Sequence, residues 1–112
     1  MVKSKGMFRL GIQQFQKANN VIGLAYAIGG LASLLVKQDQ PEHAERLFAW
    51  SDAVREKFND LRPPIEQASV ERDLAVIHSK WNHVQLASLS AEGRSMTVEP
   101  ATAYALELSV DS

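Results

Sequence analysis

From Val21 to Val36 the chain runs for sixteen residues without a charged side chain. Within that run Leu24, Ile28, Leu31 and Leu35 step by three and four, which places them on one face of an α-helix. As a helix the run would span only about 24 Å, against roughly 30 Å of bilayer hydrocarbon. It therefore reads as a buried core helix, and a membrane span is not expected. A helix this apolar needs neighbours on several sides, and the rest of the chain offers helices to supply them. Alternation at period two is absent over any useful length, and Ala, Leu, Gln, Glu and Lys outnumber the β-branched residues. The expected fold class is all-α, made of antiparallel helical hairpins.

Proline, glycine and asparagine set the boundaries of about six helices. Pro41, Pro63, Pro64 and Pro100 fall in or near first turns, where the missing N–H is harmless, and none interrupts an apolar repeat. The first helix runs from about Met7 to Ala18 and is stopped by Asn19 and Asn20. The second, about Val21 to Lys37, is capped by Asn20. The third, about Pro41 to Asn59, carries Ala44, Leu47, Phe48, Ser51, Val54 and Phe58 on one stripe and Glu42, Glu45, Arg46 and Lys57 on its polar side. A fourth, about Pro64 to Lys80, presents Val70, Leu74, Ile77 and Trp81. A fifth, about His83 to Glu92, is expected to end at Gly93 in the left-handed conformation. Thr97 is expected to cap a sixth, about Val98 to Leu108.

At 112 residues the chain has the length of one domain. It contains no cysteine, so it has no disulfide, no thiolate metal site and no cysteine nucleophile, which fits a reducing, cytoplasmic setting. Gly11, Gln13, Gln14 and Gln16 break up the N-terminal apolar residues before a secretory signal core can form. The net charge of −1 hides a division: residues 1–38 carry +5 with no acid, and residues 39–112 carry −6. With five dispersed cations and a pI near 6.3, direct nucleic-acid binding is not expected.

Nothing in the sequence assembles an active site. No glycine-rich phosphate loop or other cofactor motif is present. His78 and His83 straddle a helix break without a third ligand at metal spacing, and Glu66, Glu71 and Asp73 read as a solvated helix face. No enzyme, cofactor or metal is expected.

One repeat is legible. Ile28, Leu31, Ala32, Leu35, Asp39, Ala44 and Phe48 resemble the tetratricopeptide pattern of large, leucine, small, large, turn, alanine and aromatic positions, with Asp39 where glycine is usual. Small Ala32 and Ala44 would let two antiparallel helices approach while Leu31, Leu35 and Phe48 fill their seam. Further on, LFAWSDAVREKFNDLRPPIEQASVERDLAVIHSKW and AEGRSMTVEPATAYALE resemble the C-terminal helical segment of LuxR, AfsR and predicted-ATPase type bacterial regulators. In that family a last repeat leads through a turn, here Leu61 to Pro64, to an "AEGR" helix end at Ala91 to Arg94 and a closing helix. The resemblance implies right-handed stacking of hairpins, with tetratricopeptide-like helices over 1–59 and closing helices over 60–112 of a single domain. It also implies a non-enzymatic interaction or regulatory role.

The family's groove positions fall on Tyr26, Gly29, Ser33, Val36 and Lys37, where Tyr26 and Lys37 would grip an acidic peptide. Gly29 and Gly30 inside a helix imply either close helix contact or the floor of a ligand site. The first helix, with Met7, Phe8, Ile12 and Phe15, looks like the exposed flank of an incomplete repeat, so self-association through it, as a homodimer, is expected. The alternative is a small-molecule-sensing effector domain of a transcriptional regulator, with its pocket between helices.

Overall fold

Three turns of identical design fold the first half of the chain back and forth. In each, an Asn or Asp stands just beyond a helix in the left-handed region: Asn19 (φ 54), Asp39 (φ 59) and Asn59 (φ 54), twenty residues apart. The next N–H reaches back to a carbonyl five residues earlier, Asn20 to Phe15 (2.9 Å), Gln40 to Leu35 (2.9 Å) and Asp60 to Arg55 (2.8 Å). This closing motif usually employs glycine, but a short polar Asn or Asp tolerates the conformation nearly as well. At the first two turns it leaves only a three-residue linker, so the first three helices return antiparallel.

The computed structural model describes residues 5–60 and 62–109, and among these it contains six α-helices and no strand. They are α1 (Lys5–Lys17), α2 (Val21–Lys37), α3 (Pro41–Lys57), α4 (Pro64–His78), α5 (His83–Ser95) and α6 (Val98–Leu108). Leu61 of the turn singled out above, and Lys3 of the basic end, lie outside the described residues. Asn20 caps α2 as expected, accepting the Gly23 N–H at 2.9 Å. Asn82 caps α5 in a reciprocal box with Gln85. Thr97 stands at the start of α6 but makes no side-chain cap bond.

The seam between α2 and α3 is the core. Ile28, Leu31, Ala32, Leu35, Ala44 and Phe48 are all buried in one cluster, and Asp39 supplies the left-handed turn between the two helices. Ser51 packs into the same seam, donating to the Ala25 carbonyl at 2.8 Å. Phe58 departs from its expected stripe: it is the residue after the last helical turn of α3 and is exposed.

The exposed flank expected on α1 does not exist in that form. Ile12 is fully buried within this chain, and Phe8 and Phe15 pack against the core. Seven residues apart on α1, the two rings sit over Gly30 and Gly23, seven apart on antiparallel α2, where an added Cβ would collide with them. Arg9 also donates to the Leu106 carbonyl of α6 at 3.0 Å. Of the four residues named for self-association, only Met7 (57 % exposed) faces solvent, joined by Leu10 (57 %). The reason is that α2 and α6 supply within one chain the cover that a neighbouring repeat or copy was expected to give.

Helix α3 is surrounded. It buries Ala49 and Trp50 in addition to its predicted stripe, because α5 packs on the side opposite α2, and it buries Arg55 against Tyr26 of α2. Gly93 is inside α5 with ordinary helical backbone, not a left-handed terminus, and the helix continues to Ser95. An added Cβ there would land on the backbone of Arg46, so this glycine marks where α5 crosses α3. A polar cluster fastens the junction: Arg46 Nε meets Glu92 at 2.6 Å, and the Tyr104 hydroxyl of α6 lies 2.5 Å from His43 Nδ1 and 3.2 Å from Arg46. Helix α4 is held more lightly, with Ile77 buried and Val70 and Leu74 partly so. It runs beside α2 in the same direction, tied by the Ser33 hydroxyl to Asp73 (2.7 Å) and by Lys80 to Asp39.

Candidate functional site

Two clefts flank α3, one on each side of α4. The first opens between α2, α3 and the start of α4, has a volume of about 340 Å³, and gathers Tyr26, Gly29 and Ser33 of the predicted groove with Ser51, Arg55 and Arg62. Gly29 forms part of its wall because Ser51 Oγ stands 3.2 Å from where a Cβ would be. Gly30 belongs mainly to the contact with Phe8, which is the close helix contact expected of the glycine pair. Val36 and Lys37 are not in this cleft. Val36 packs on the core and Lys37 is exposed, because α4 lies along α2 and the bond from Ser33 to Asp73 closes the groove before it reaches them.

Arg55 is the unexpected member. It is only 7 % exposed, stacked 4.6 Å from the centre of the Tyr26 ring, with Nε 3.3 Å from the Asp60 carbonyl and 3.5 Å from its carboxylate. Tyr26 donates to the same carboxylate at 2.7 Å, and this hydrogen bond pushes the phenol above its ordinary pKa. The Arg55 Nη2 has no partner among the described residues. Arg62 is paired with Asp52. A buried guanidinium with an idle donor is uncommon, since such a group normally has its hydrogen bonds satisfied.

The second cleft, of about 630 Å³, lies between α3, the end of α4 and the start of α5. His78 and His83 line it with Trp81, Leu86, Ala87 and Glu45. The sequence placed Glu45 on the solvated side of α3; α4 and α5 bury it to 7 % exposure. The nearest basic side chain is His78, with Nε2 3.9 Å away, and Oε2 accepts no hydrogen bond among the described residues. Burial raises the carboxyl above its ordinary range, the His78 charge opposes this, and Asp52 adds to it.

This makes a stability prediction with a definite sign. The folded pKa of Glu45 exceeds the unfolded value near 4.3, so the native state holds its proton more tightly, and the advantage present at low pH is lost as pH rises through the raised value. Glu45→Gln removes the charge and should stabilise the fold by about 1 kcal/mol at pH 7 and by little at pH 4, read from urea midpoints at both pH values. A variant less stable than the parent at pH 7 would show that Glu45 is better solvated than its burial indicates.

Among the described residues no three His, Asp or Glu side chains gather closely enough to hold a metal ion. No helix among them is long and apolar enough to cross a membrane. The described residues thus form an all-α helical protein with side-chain-lined clefts against one central helix. No family model, no curated protein and no solved structure matches the chain.

Proposed function

We propose that this protein is a non-enzymatic, tetratricopeptide-like interaction module that receives an acidic segment of a partner protein in the cleft between α2, α3 and α4. The observation that carries this reading is the idle Nη2 of buried Arg55 beside that cleft. An orphaned donor of this kind is worth about 1–3 kcal/mol when an acceptor arrives, and a carboxylate makes the stronger, charge-assisted bond. The local charges favour a carboxylate over a phosphate. Arg55 and Arg62 are opposed by Asp60, Asp52 and Glu66, a local sum of −1, so an acidic group is received at the Arg55 donor against this background, which repels a dianion more strongly than a single carboxylate. Helix faces with exposed Tyr26 and hydroxyl-bearing Ser33 and Ser69 suit an extended or helical segment laid across them.

Labelled hexaglutamate and hexaglutamine peptides, followed by fluorescence anisotropy, test the reading. The acidic peptide should bind, weaken with added salt, and lose about tenfold in affinity with Arg55→Lys, which keeps the charge but not the planar fork. Circular dichroism of the variant checks that it remains folded. Equal binding of hexaglutamine, or an Arg55→Lys variant that binds as well as the parent, would remove the basis for the proposal.

A further inference from the structure

The second cleft stands apart from the peptide reading and rests on different atoms. Among the described residues three buried side-chain polar atoms lack a hydrogen-bond partner, and two of them, Glu45 Oε2 and Trp81 Nε1, belong to residues that line this cleft. Their needs are complementary. The carboxyl oxygen calls for a donor and the indole N–H for an acceptor. An ammonium group would satisfy Glu45 and leave the indole idle, while a carboxylate would satisfy the indole and be repelled by Glu45. An amide carries both a donor and an acceptor and so matches both needs.

The rest of the cleft fits an amide with an apolar body. Trp81, Leu86 and Ala87 give it apolar walls, and about 630 Å³ is within the usual range for small-molecule sites. We infer that the cleft between α3, α4 and α5 is a binding site for a small neutral amide bearing one aromatic or aliphatic group, whose N–H donates to Glu45 and whose carbonyl accepts from the Trp81 indole. Keeping a carboxyl buried without a full partner weakens a fold, and such groups persist where a ligand completes them. A bound amide would also bridge α3 to the segment joining α4 and α5, so occupancy would be felt by the more lightly held α4.

The chain has two tryptophans, and this makes the test direct. In a ¹⁵N–¹H spectrum the Trp81 indole signal reports on the cleft, while Trp50, buried in the core, is the internal reference and shows that each variant is folded. Benzamide titrated to about 10 mM should shift the Trp81 signal downfield and saturably, with a Kd of about 1 mM or below, and leave Trp50 in place. Glu45→Ala should weaken binding about tenfold with Trp50 unmoved. N-acetylphenylalanine methylamide binding more tightly than benzamide would uphold the chemistry and assign the amide to a peptide backbone. Tighter binding of benzylamine would overturn the proposal in favour of a cation site. So would the absence of a saturable Trp81 shift with any probe, which would leave the two atoms to bridging water.

Discussion

Gly93→Ala should destabilise the protein by about 3 kcal/mol, although alanine is the better helix former by about 1 kcal/mol. The two effects have opposite signs, which is what makes the variant informative. At this position a Cβ would fall on the carbonyl group of Arg46 and 2.9 Å from its Cα. These are backbone atoms of a helix gripped on its other side by α2, so they cannot swing aside as a side chain does. Relief has to come from lifting α5 as a body, loosening Leu86 and Leu89 and stretching the pair between Arg46 and Glu92. Gly11→Ala is the control. Its Cβ would meet only Ala27 Cβ at 4.0 Å, an ordinary contact, so propensity should prevail and stability should rise by about 0.5–1 kcal/mol. Urea denaturation of both variants measures the pair. A Gly93→Ala protein as stable as its parent would mean that α3 and α5 do not approach as closely as described.

Gly93 also shows where the sequence stops being legible. A glycine near the end of an amphipathic stretch followed by Arg, Ser and Met looks like a helix terminus, and nothing local distinguishes it from one that admits a neighbouring backbone. The three true left-handed termini are Asn19, Asp39 and Asn59, and their regular spacing was readable as turns but not as a repeated motif. What periodicity does disclose is the partner of a stripe. Leu31, Leu35 and Phe48 announced the α2 to α3 seam because each helix showed one clear face. Helix α3 has two. Ala49 and Trp50 lie off its main stripe, and that was the available signal that a further helix packs behind it. Without knowing that α5 lands there, Glu45 and Arg46 read as solvated.

The same limit governs both clefts. Tyr26, Gly29 and Ser33 could be placed together because they follow from one helix register. Arg55 could not, because arginine is seldom buried and the ring it stacks on, Tyr26, comes from another helix, although Asp60 lies in the turn just beyond it. Likewise His78, Trp81 and His83 read as a helix break; only the packing of α5 on α3 turns that break into one rim of a cleft with Glu45. Long-range juxtapositions of polar residues leave no periodic trace, whereas apolar faces do.

Phe48→Ala should have the largest effect of any single truncation near the sites, a loss of about 3–5 kcal/mol. Phe48 is 1 % exposed, belongs to the α2 and α3 seam, and also floors the cleft that holds Arg55. Removing its ring leaves a void that Ala25, Ala32 and Ala44 are too small to fill, and the left-handed turn at Asp39 fixes the two helices so that they cannot close the gap by sliding. For a domain whose whole stability is expected to be about 5–15 kcal/mol, this is a large share. Phe58→Ala is the matched comparison: the same atoms are removed from an exposed site, and the change should be within about 0.5 kcal/mol. If Phe48→Ala shifts the urea midpoint with an unchanged slope, the seam is one cooperative unit with the cleft above it, and acidic-peptide binding at conditions where the variant stays folded should weaken as the cleft floor collapses. A loss as small as that of Phe58→Ala would mean that the α2 to α3 seam is not the centre of this fold.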